Sequence, residues 1–367
     1  MSKATELLKQ MLKIYSPSGH EKEIAVFLKE KLAELGFKNV RLDRAGNVFG
    51  EVGSGSPAVL LCGHMDTVPG RLPVKTEDDK IYGRGAVDAK SSLAAMITAA
   101  SKLIDKKIKG KLVLASVVDE EGRGEGIRRI VKDKLKVDYA IFGEPSGVSN
   151  ITIGYKGRLE VNIICETKAG HAATPSGFNN AIEKAFEVWS QVKAWSTKRP
   201  PRSPFYSTTA CLTGILGGEA SNVVPSWCAL TVDVRFPPSH RCEKAVSELK
   251  AVIRGYRREN PEVGLQMRFA DSVKPFIAKK DSVLVKTLTA AIEETVGGPV
   301  RLLKKTGTGD MNIFANELKV PAVTYGPGNS RLSHTLNEYI EIDEYLASVE
   351  VYRKTVMKLL ASGLNNI

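Results

Sequence analysis

Two histidines and three carboxylates stand where a strand or turn should end: His64 in GHMDTVP, Asp88 in YGRGAVDAK, Glu121 in DEEGRGEG, Glu144 in FGEPSG and His334 in SRLSHTLNEYI. Imidazole nitrogens and carboxylate oxygens are the donors that hold zinc-like ions, and one carboxylate can bridge two of them. A pair of such ions about 3.5 Å apart would polarise a carbonyl and acidify a water. Glu120, beside Glu121 and not needed as a ligand, then stands ready to take that water's proton. The pattern predicts a dinuclear metallohydrolase.

Taken singly, each motif has a plainer explanation. His64 follows the apolar run VLLC and would leave the carboxyl end of a strand, the edge where open α/β sheets bind ligands. Asp66 could accept its second N–H and fix the tautomer. A turn histidine beside an ordinary aspartate accounts for the same residues equally well. Asp88 precedes an Ala-rich segment, and aspartate is also a good helix N-cap. The triplet Asp119, Glu120 and Glu121 is by itself better read as a solvated acidic turn, although adjacent acids at a strand end repel unless cations neutralise them. Pro145 favours extended backbone at Glu144, which holds that carboxylate outward. The chain has 5 histidines, and two of them fall in these motifs in the company of acids. The joint pattern favours metal.

Several elements must position these residues. Ser18 and Glu21 form a capping box for a helix over about 20–35, which Gly36 closes. Strand-like runs follow at about 40–42, 48–52, 58–62, 112–118 and 139–142, with helices over about 89–105 and 123–134. The alternation predicts an α/β fold: a mostly parallel sheet with helices on both faces. After Gly154 the pattern changes. Strands at about 159–166, 208–216 and 227–236 and helices over about 178–194 and 241–257 predict an inserted ferredoxin-like α+β domain. A helix over about 282–296, a strand at about 322–325 and a terminal helix from about 343 return to the first pattern. The expected domains are 1–154 with 273–367, and 155–272; Thr197–Pro204 reads as a Pro-rich surface loop.

A chain of 367 residues fits two domains, and 43% apolar with 26% charged residues predicts a folded protein. No apolar run approaches the roughly 20 residues that span a bilayer, and the first residues lack the features of a secretory signal. A cytoplasmic protein without membrane contact is expected. The 5 cysteines are scattered and odd in number, which predicts buried reduced thiols, not disulfides or a thiolate metal site. The net charge of +12 comes from dispersed basic residues with no interleaved aromatics and no recognition helix. That argues against nucleic acid and leaves an acidic macromolecular substrate open.

In order, GHMDTVP, GRGAVDAK, DEEGRGEG, GEP, GHAATP and SHTLNEYI resemble the landmarks of the co-catalytic zinc peptidase and deacylase family, which includes acetylornithine deacetylase, succinyl-diaminopimelate desuccinylase and glutamate carboxypeptidases. The resemblance implies that His64 and Glu144 hold one metal ion and Glu121 and His334 the other, with Asp88 bridging. It also implies that Asp66 orients His64 and that Glu120 is the general base. Zinc is the expected metal, although cobalt or manganese would suit the same ligand types. The insert would be the family's lid and homodimerisation domain. Its His171, in GHAATP, would reach the partner subunit's active site and steady an oxyanion. Asn222, Arg235 and the loop residues Thr306, Gly307 and Thr308 would hold substrate, Arg235 by a two-pronged grip on a carboxylate. Without the resemblance, His171 is a surface-loop histidine and Arg235 a solvated strand-end arginine.

AVDAK after GRG, GEPSG with ITIGYKGRLEV, and KTGTGDMN resemble one branch of that family. This branch releases lysine or ornithine from the C-terminal glutamate of a small acidic amino-group carrier protein. Opposite charge would speed that encounter. Two alternatives stand beside it: a deacylase or dipeptidase for small molecules such as acetylornithine or succinyl-diaminopimelate, and a nonenzymatic basic binding protein. The complete ligand set and the presence of Glu120 speak against the last.

Overall fold

The apolar run that ends at His64 becomes the strand Ala58–His64, buried at all 7 positions and therefore covered on both faces. The computed structural model describes residues 3–198 and 203–362, so residues 199–202 of the Pro-rich loop lie outside the described residues. Ala58–His64 runs parallel to Gly110–Val117 on one side and to Tyr139–Gly143 on the other. Tyr139–Gly143 is in turn parallel to Ala322–Tyr325. Val48–Ser54 and Lys38–Leu42 extend one flank antiparallel, and Asn150–Tyr155 extends the other. The sheet is parallel at its centre, where helical crossovers join the strands, and antiparallel at its flanks, where short connections allow it.

The helix Lys90–Ser101 is buried almost all round, as its alanines permit. It packs on Ile342–Ser362, and both lie against Ala58–His64 and Gly110–Val117. Glu125–Lys132 packs on Asp310–Leu318, which lies against Ala322–Tyr325. The expected capping box does not form. Glu21 is the N-cap of Lys22–Glu34 without a side-chain cap bond. Its Oε1 instead accepts from Asp119 N at 3.0 Å, and Ser18 Oγ donates to Asp66 Oδ2 at 2.7 Å. Asp66 is fully buried, and a buried carboxylate's demand for donors outweighs a cap that water can replace.

The chain divides into two units. One runs to Gly154 and takes in Ala278–Lys304 and the chain from Gly309 onward; the other comprises Tyr155–Ile277 and Lys305–Thr308. The insert extends past 272 because Val273 still belongs to a strand, paired with Arg158. This second unit orders its main elements βαββαβ: Gly157–Glu166, Ala181–Thr197, Thr209–Gly217, Trp227–Phe236, Cys242–Glu259 and Gly264–Val273. The sheet order Thr209–Gly217, Trp227–Phe236, Gly157–Glu166, Gly264–Val273, antiparallel throughout, is the ferredoxin-like arrangement. Leu159, Val161, Ile163 and Cys165 face a core shared with Ala185, Val188, Leu249 and Ile253. Truncating one of these large side chains to Ala would cost about 2–5 kcal/mol.

Among the described residues no helix is long and apolar enough to cross a membrane. All the cysteines are free; Cys62, Cys165 and Cys228 are buried, Cys242 is partly so and Cys211 is exposed.

Candidate metal centre

Three neighbouring parallel strands end at one edge of the first unit's sheet. His64 is the last residue of the middle strand, Glu120 and Glu121 follow the strand on one side, and Glu144 follows the strand on the other. Parallel alignment therefore converts sequence positions far apart into side chains at one edge. Asp88 and His334 reach the same place from loops.

His64 Nε2 is buried without a hydrogen bond, 3.4 Å from Asp88 Oδ1 and 3.7 Å from Glu144 Oε1. His334 Nε2 lies 3.5 Å from Asp88 Oδ2 and 2.7 Å from Glu121 Oε1. Each imidazole thus meets a different oxygen of Asp88. Two groups result, His64 with Asp88 and Glu144, and Asp88 with Glu121 and His334, the donor atoms of each within 4.8 Å of one another. Two donors on a tetrahedral zinc ion, each about 2.0–2.1 Å from it, sit roughly 3.4 Å apart. The long contacts of His64 are poor hydrogen bonds but fit that separation. The residues present fit a pair of divalent cations.

The electrostatics agree. Burial alone would lower the basicity of His64, but Asp66, Asp88 and Glu144 outweigh it and hold the imidazole well above its ordinary pKa. The carboxylates of Asp88 and Glu121 push His334 up to about 10. Burial would raise Asp88, yet the two imidazoles hold it well below the usual range. Glu120 is driven well above its ordinary value by burial and then by the charge of Glu144. Burial likewise pushes Asp310 up to about 7. A cluster that draws protons onto both bases and acids is short of positive charge.

The carboxylate of Asp66 does more than face His64. His64 Nδ1 lies 3.0 Å from the backbone oxygen of Asp66, with Oδ1 farther away at 3.4 Å. Asp66 Oδ1 accepts from Glu120 N and Oδ2 from Glu121 N, both at 3.1 Å. One buried carboxylate therefore aligns the turn that carries both glutamates. Asp119, the third acid of the triplet, shapes that turn: its Oδ2 accepts from Arg123 N and Glu125 N. A Cβ at Gly122 would lie 2.0 Å from Asp119 Oδ1, so a larger residue there would displace the carboxylate that shapes the turn. Asp88 is not an N-cap; the helix begins after Ala89, and the Asp88–Ala89 peptide is cis. His334 is held at φ 65, a left-handed backbone that costs a non-glycine residue about 1–2 kcal/mol.

Sequence reasoning missed Glu338. It is 1% exposed. Its Oε1 accepts from Gly85 N, Val87 N and Asp88 N at 3.0, 2.9 and 3.0 Å, and its Oε2 accepts from Arg84 Nη1 at 2.8 Å. It fixes the loop that presents Asp88. Lys90 was missed too: its buried ammonium donates to Met11 O and Ile14 O, and burial brings its pKa down to about 7. The only sequence signal for either was a charge in an otherwise apolar or tightly turned segment.

The remaining expected residues belong to the second unit. His171 is exposed on the short strand Gly170–His171, and its Nδ1 accepts from Ala173 N at 3.0 Å, which leaves the proton on Nε2. Exposed Asn222 is its neighbour, with Asn222 O accepting from Ala172 N. Arg235 Nε and Nη2 grip Asp233 at 2.6 and 3.1 Å, and Nη1 donates to Thr308 Oγ1 at 2.9 Å. Thr306 and Gly307 are exposed in the turn before Thr308.

Comparison with known proteins adds the lineage. The model of peptidase family M20/M25/M40 matches residues 60–358. The chain is 32% identical to the [LysW]-lysine hydrolase of Deinococcus radiodurans, covering 97% of each chain. It is 34% identical to the [LysW]-lysine/[LysW]-ornithine hydrolase of Saccharolobus islandicus, covering 97% of this chain and 96% of that one. Among solved structures, the M20 family metallo-carboxypeptidase Sso-CP2 of Sulfolobus solfataricus superposes with a TM-score of 0.83 at 20% identity, covering 98% of this chain and 100% of that one. A Staphylococcus aureus tripeptidase also reaches 0.83, at 22% identity and 98% of both chains. With the ligand groups, the strand-end geometry and a family match over most of its length, the chain belongs to peptidase family M20/M25/M40.

Proposed function

We propose that this protein hydrolyses the amide that joins lysine or ornithine to the C-terminal glutamate of an acidic amino-group carrier protein, freeing the amino acid for lysine or arginine biosynthesis. The observation that carries a two-metal hydrolase is the pair of ligand groups sharing Asp88. The carrier as substrate is supported by the names of the relatives, LysW-lysine and LysW-ornithine hydrolases, and by the net charge of +12. Long-range attraction of opposite charges speeds such an encounter and fades with salt.

His64 and Glu144 would hold one divalent ion, Glu121 and His334 the other, and Asp88 both; zinc suits these donors, as do cobalt and manganese. Such ions supply polarisation of the amide carbonyl and a water acidified toward a pKa of about 7. Glu120 accepts the proton of the attacking water and returns it to the leaving amine. Asp66 keeps His64 and the Glu120 turn in register. His171, with its proton on Nε2, would offer a donor to the oxyanion in the partner subunit's site, a contact worth about 3 kcal/mol. With Asp233 and Thr308 occupying three donors of Arg235, its outer Nη1 and Nη2 hydrogens stay available for the α-carboxylate of the released amino acid. Asn222, Thr306 and Gly307 complete that subsite.

The second unit would serve as lid and homodimer interface. Among the described residues its edge strand Thr209–Gly217 pairs only with Trp227–Phe236, and Leu216 is 69% exposed there. A bare edge with an exposed leucine invites a second copy. Free cysteines suit a reducing cytoplasm.

The test is incubation of the metal-loaded enzyme with carrier bearing lysine or ornithine, with mass measurement of the released amino acid across a salt series. Release that falls steeply with salt is expected. Good turnover of N-acetylornithine with no release from the carrier would replace this reading with a small-molecule deacylase.

A further inference from the structure

A cavity of about 470 Å³ lies in the first unit, and no metal-centre residue lines it. Its wall carries four cationic side chains, Lys13, Arg71, Arg84 and Lys90, and no acidic one. Two of these are committed elsewhere. Arg84 pairs with Glu338, and the Lys90 ammonium is spent on two backbone carbonyls. Lys13 and Arg71 make no ion pair among the described residues; the Arg71 guanidinium lies over the Tyr15 ring at 5.0 Å. Stacking occupies the face of a guanidinium and leaves its N–H edges free to donate.

A second observation points the same way. Thr67, also on the wall, is 1% exposed, and its Oγ1 has no hydrogen-bond partner. Buried hydroxyls are almost always paired, so an unpaired one on a cavity wall marks a position where something accepts or donates. The rest of the wall is Tyr15, whose hydroxyl accepts from Gly70 N, and the apolar residues 12, 14 and 72–74. The volume suits a small molecule.

We propose that this cavity is a second ligand site, for a small organic anion. A carboxylate or phosphate head would meet Arg71, Lys13 and the Thr67 hydroxyl, and a short apolar body would lie against residues 12, 14 and 72–74. The proposal does not depend on which amide the enzyme cleaves.

Two probes separate the head groups: 4-bromobutyrate and inorganic phosphate, each titrated calorimetrically into the metal-loaded full chain. Either can also bind divalent ions at the catalytic centre, so location is read from bromine anomalous density in soaked crystals and from variants. Bromine in the cavity is expected, with affinity for the cavity falling at least tenfold in Arg71→Ala and severalfold in Thr67→Val. Tighter binding of phosphate at the same position, with the same dependence on Arg71, would support the site and identify its head group. Binding of both probes at the metal centre alone, or affinities unchanged in both variants, would overturn the proposal.

Discussion

Replacing Glu338 with Gln tests whether a buried carboxylate outside the ligand set controls the metal centre. The substitution keeps the shape and one carbonyl-type oxygen for the amides of Gly85, Val87 and Asp88, but turns an NH₂ group toward Arg84. Arg84 is itself 7% exposed, so its charge would be left buried without a carboxylate, held only by the carbonyls of Gly70 and Thr335. Breaking a buried ion pair from one side costs about 3–5 kcal/mol. At about 3 °C per kcal/mol for a unit of this size, the melting temperature should fall by roughly 8–15 °C. Because Glu338 holds the Asp88 amide at 3.0 Å, the Asp88 carboxylate, the proposed bridge, should also lose its setting. Changes to groups that orient metal ligands typically weaken metal binding by about 10–100-fold. Calorimetry and a zinc titration against a competing chelator measure the two effects, with the exposed Glu341→Gln as control. If Glu338→Gln melts within about 2 °C of the control and binds zinc as tightly, Glu338 is ordinary packing and the reasoning fails.

Glu120→Gln should lower kcat by about 10²–10⁴ while two metals remain bound, and a loss under tenfold would remove Glu120 as the base. Gly309→Ala puts a Cβ 3.2 Å from Glu120 Oε1 and should reduce kcat with little change in KM; equal effects on both would indicate a disturbed substrate site instead. In metal-free protein, His334 has a folded pKa of about 10 against about 6.5 unfolded, so its contribution is complete below pH 6.5 and disappears as pH rises through about 10. His64 acts in the same sense, and the raised Asp310 withdraws its share at lower pH, between about 3.8 and 7. Chelated enzyme should therefore melt progressively lower from pH 6.5 to pH 10, by a modest amount because His334 is half exposed, and greater stability at the alkaline end would contradict this account.

That the candidate ligands come together was legible because it depends on two coarse features of sequence, residue type and the end of an apolar run. His64 and Glu144 follow runs that could only be buried strands, and parallel alignment did the rest. What escaped notice depends on contacts across the chain. Ser18 looked like a helix cap because its spacing to Glu21 is right, but Asp66, 48 residues away, captured its hydroxyl. Glu338 lies in the same motif as His334, yet nothing local says that three amides from 85–88 converge on it. Asp88 read equally as an N-cap, and only the fold shows the helix starting after Ala89. The strand Gly264–Val273 went unplaced although Leu265, Met267 and Phe269 alternate with Gln266 and Arg268, because a register shift after Phe269 breaks the period and puts Asp271 out of phase. Sequence periodicity finds faces that are buried; it is blind to polar groups whose partners come from elsewhere.

The pattern of displaced pKa values has one further implication for the proposed mechanism. Without cations, protons fill the deficit of positive charge: they are drawn onto His64, His334, Glu120 and Asp310 alike. In that state burial and the charge of Glu144 bias Glu120 toward its neutral form, in which it is a poorer base. Two divalent ions carry four positive charges, and the ligands Asp88, Glu121 and Glu144 cancel three. The surplus falls next to Glu120, which can then ionise in spite of its burial, because a nearby opposite charge favours the charged form. The same burial that raises Glu120 would keep it basic enough, once ionised, to take a proton from water. In the proposed mechanism, metal occupancy would therefore favour base activation through charge.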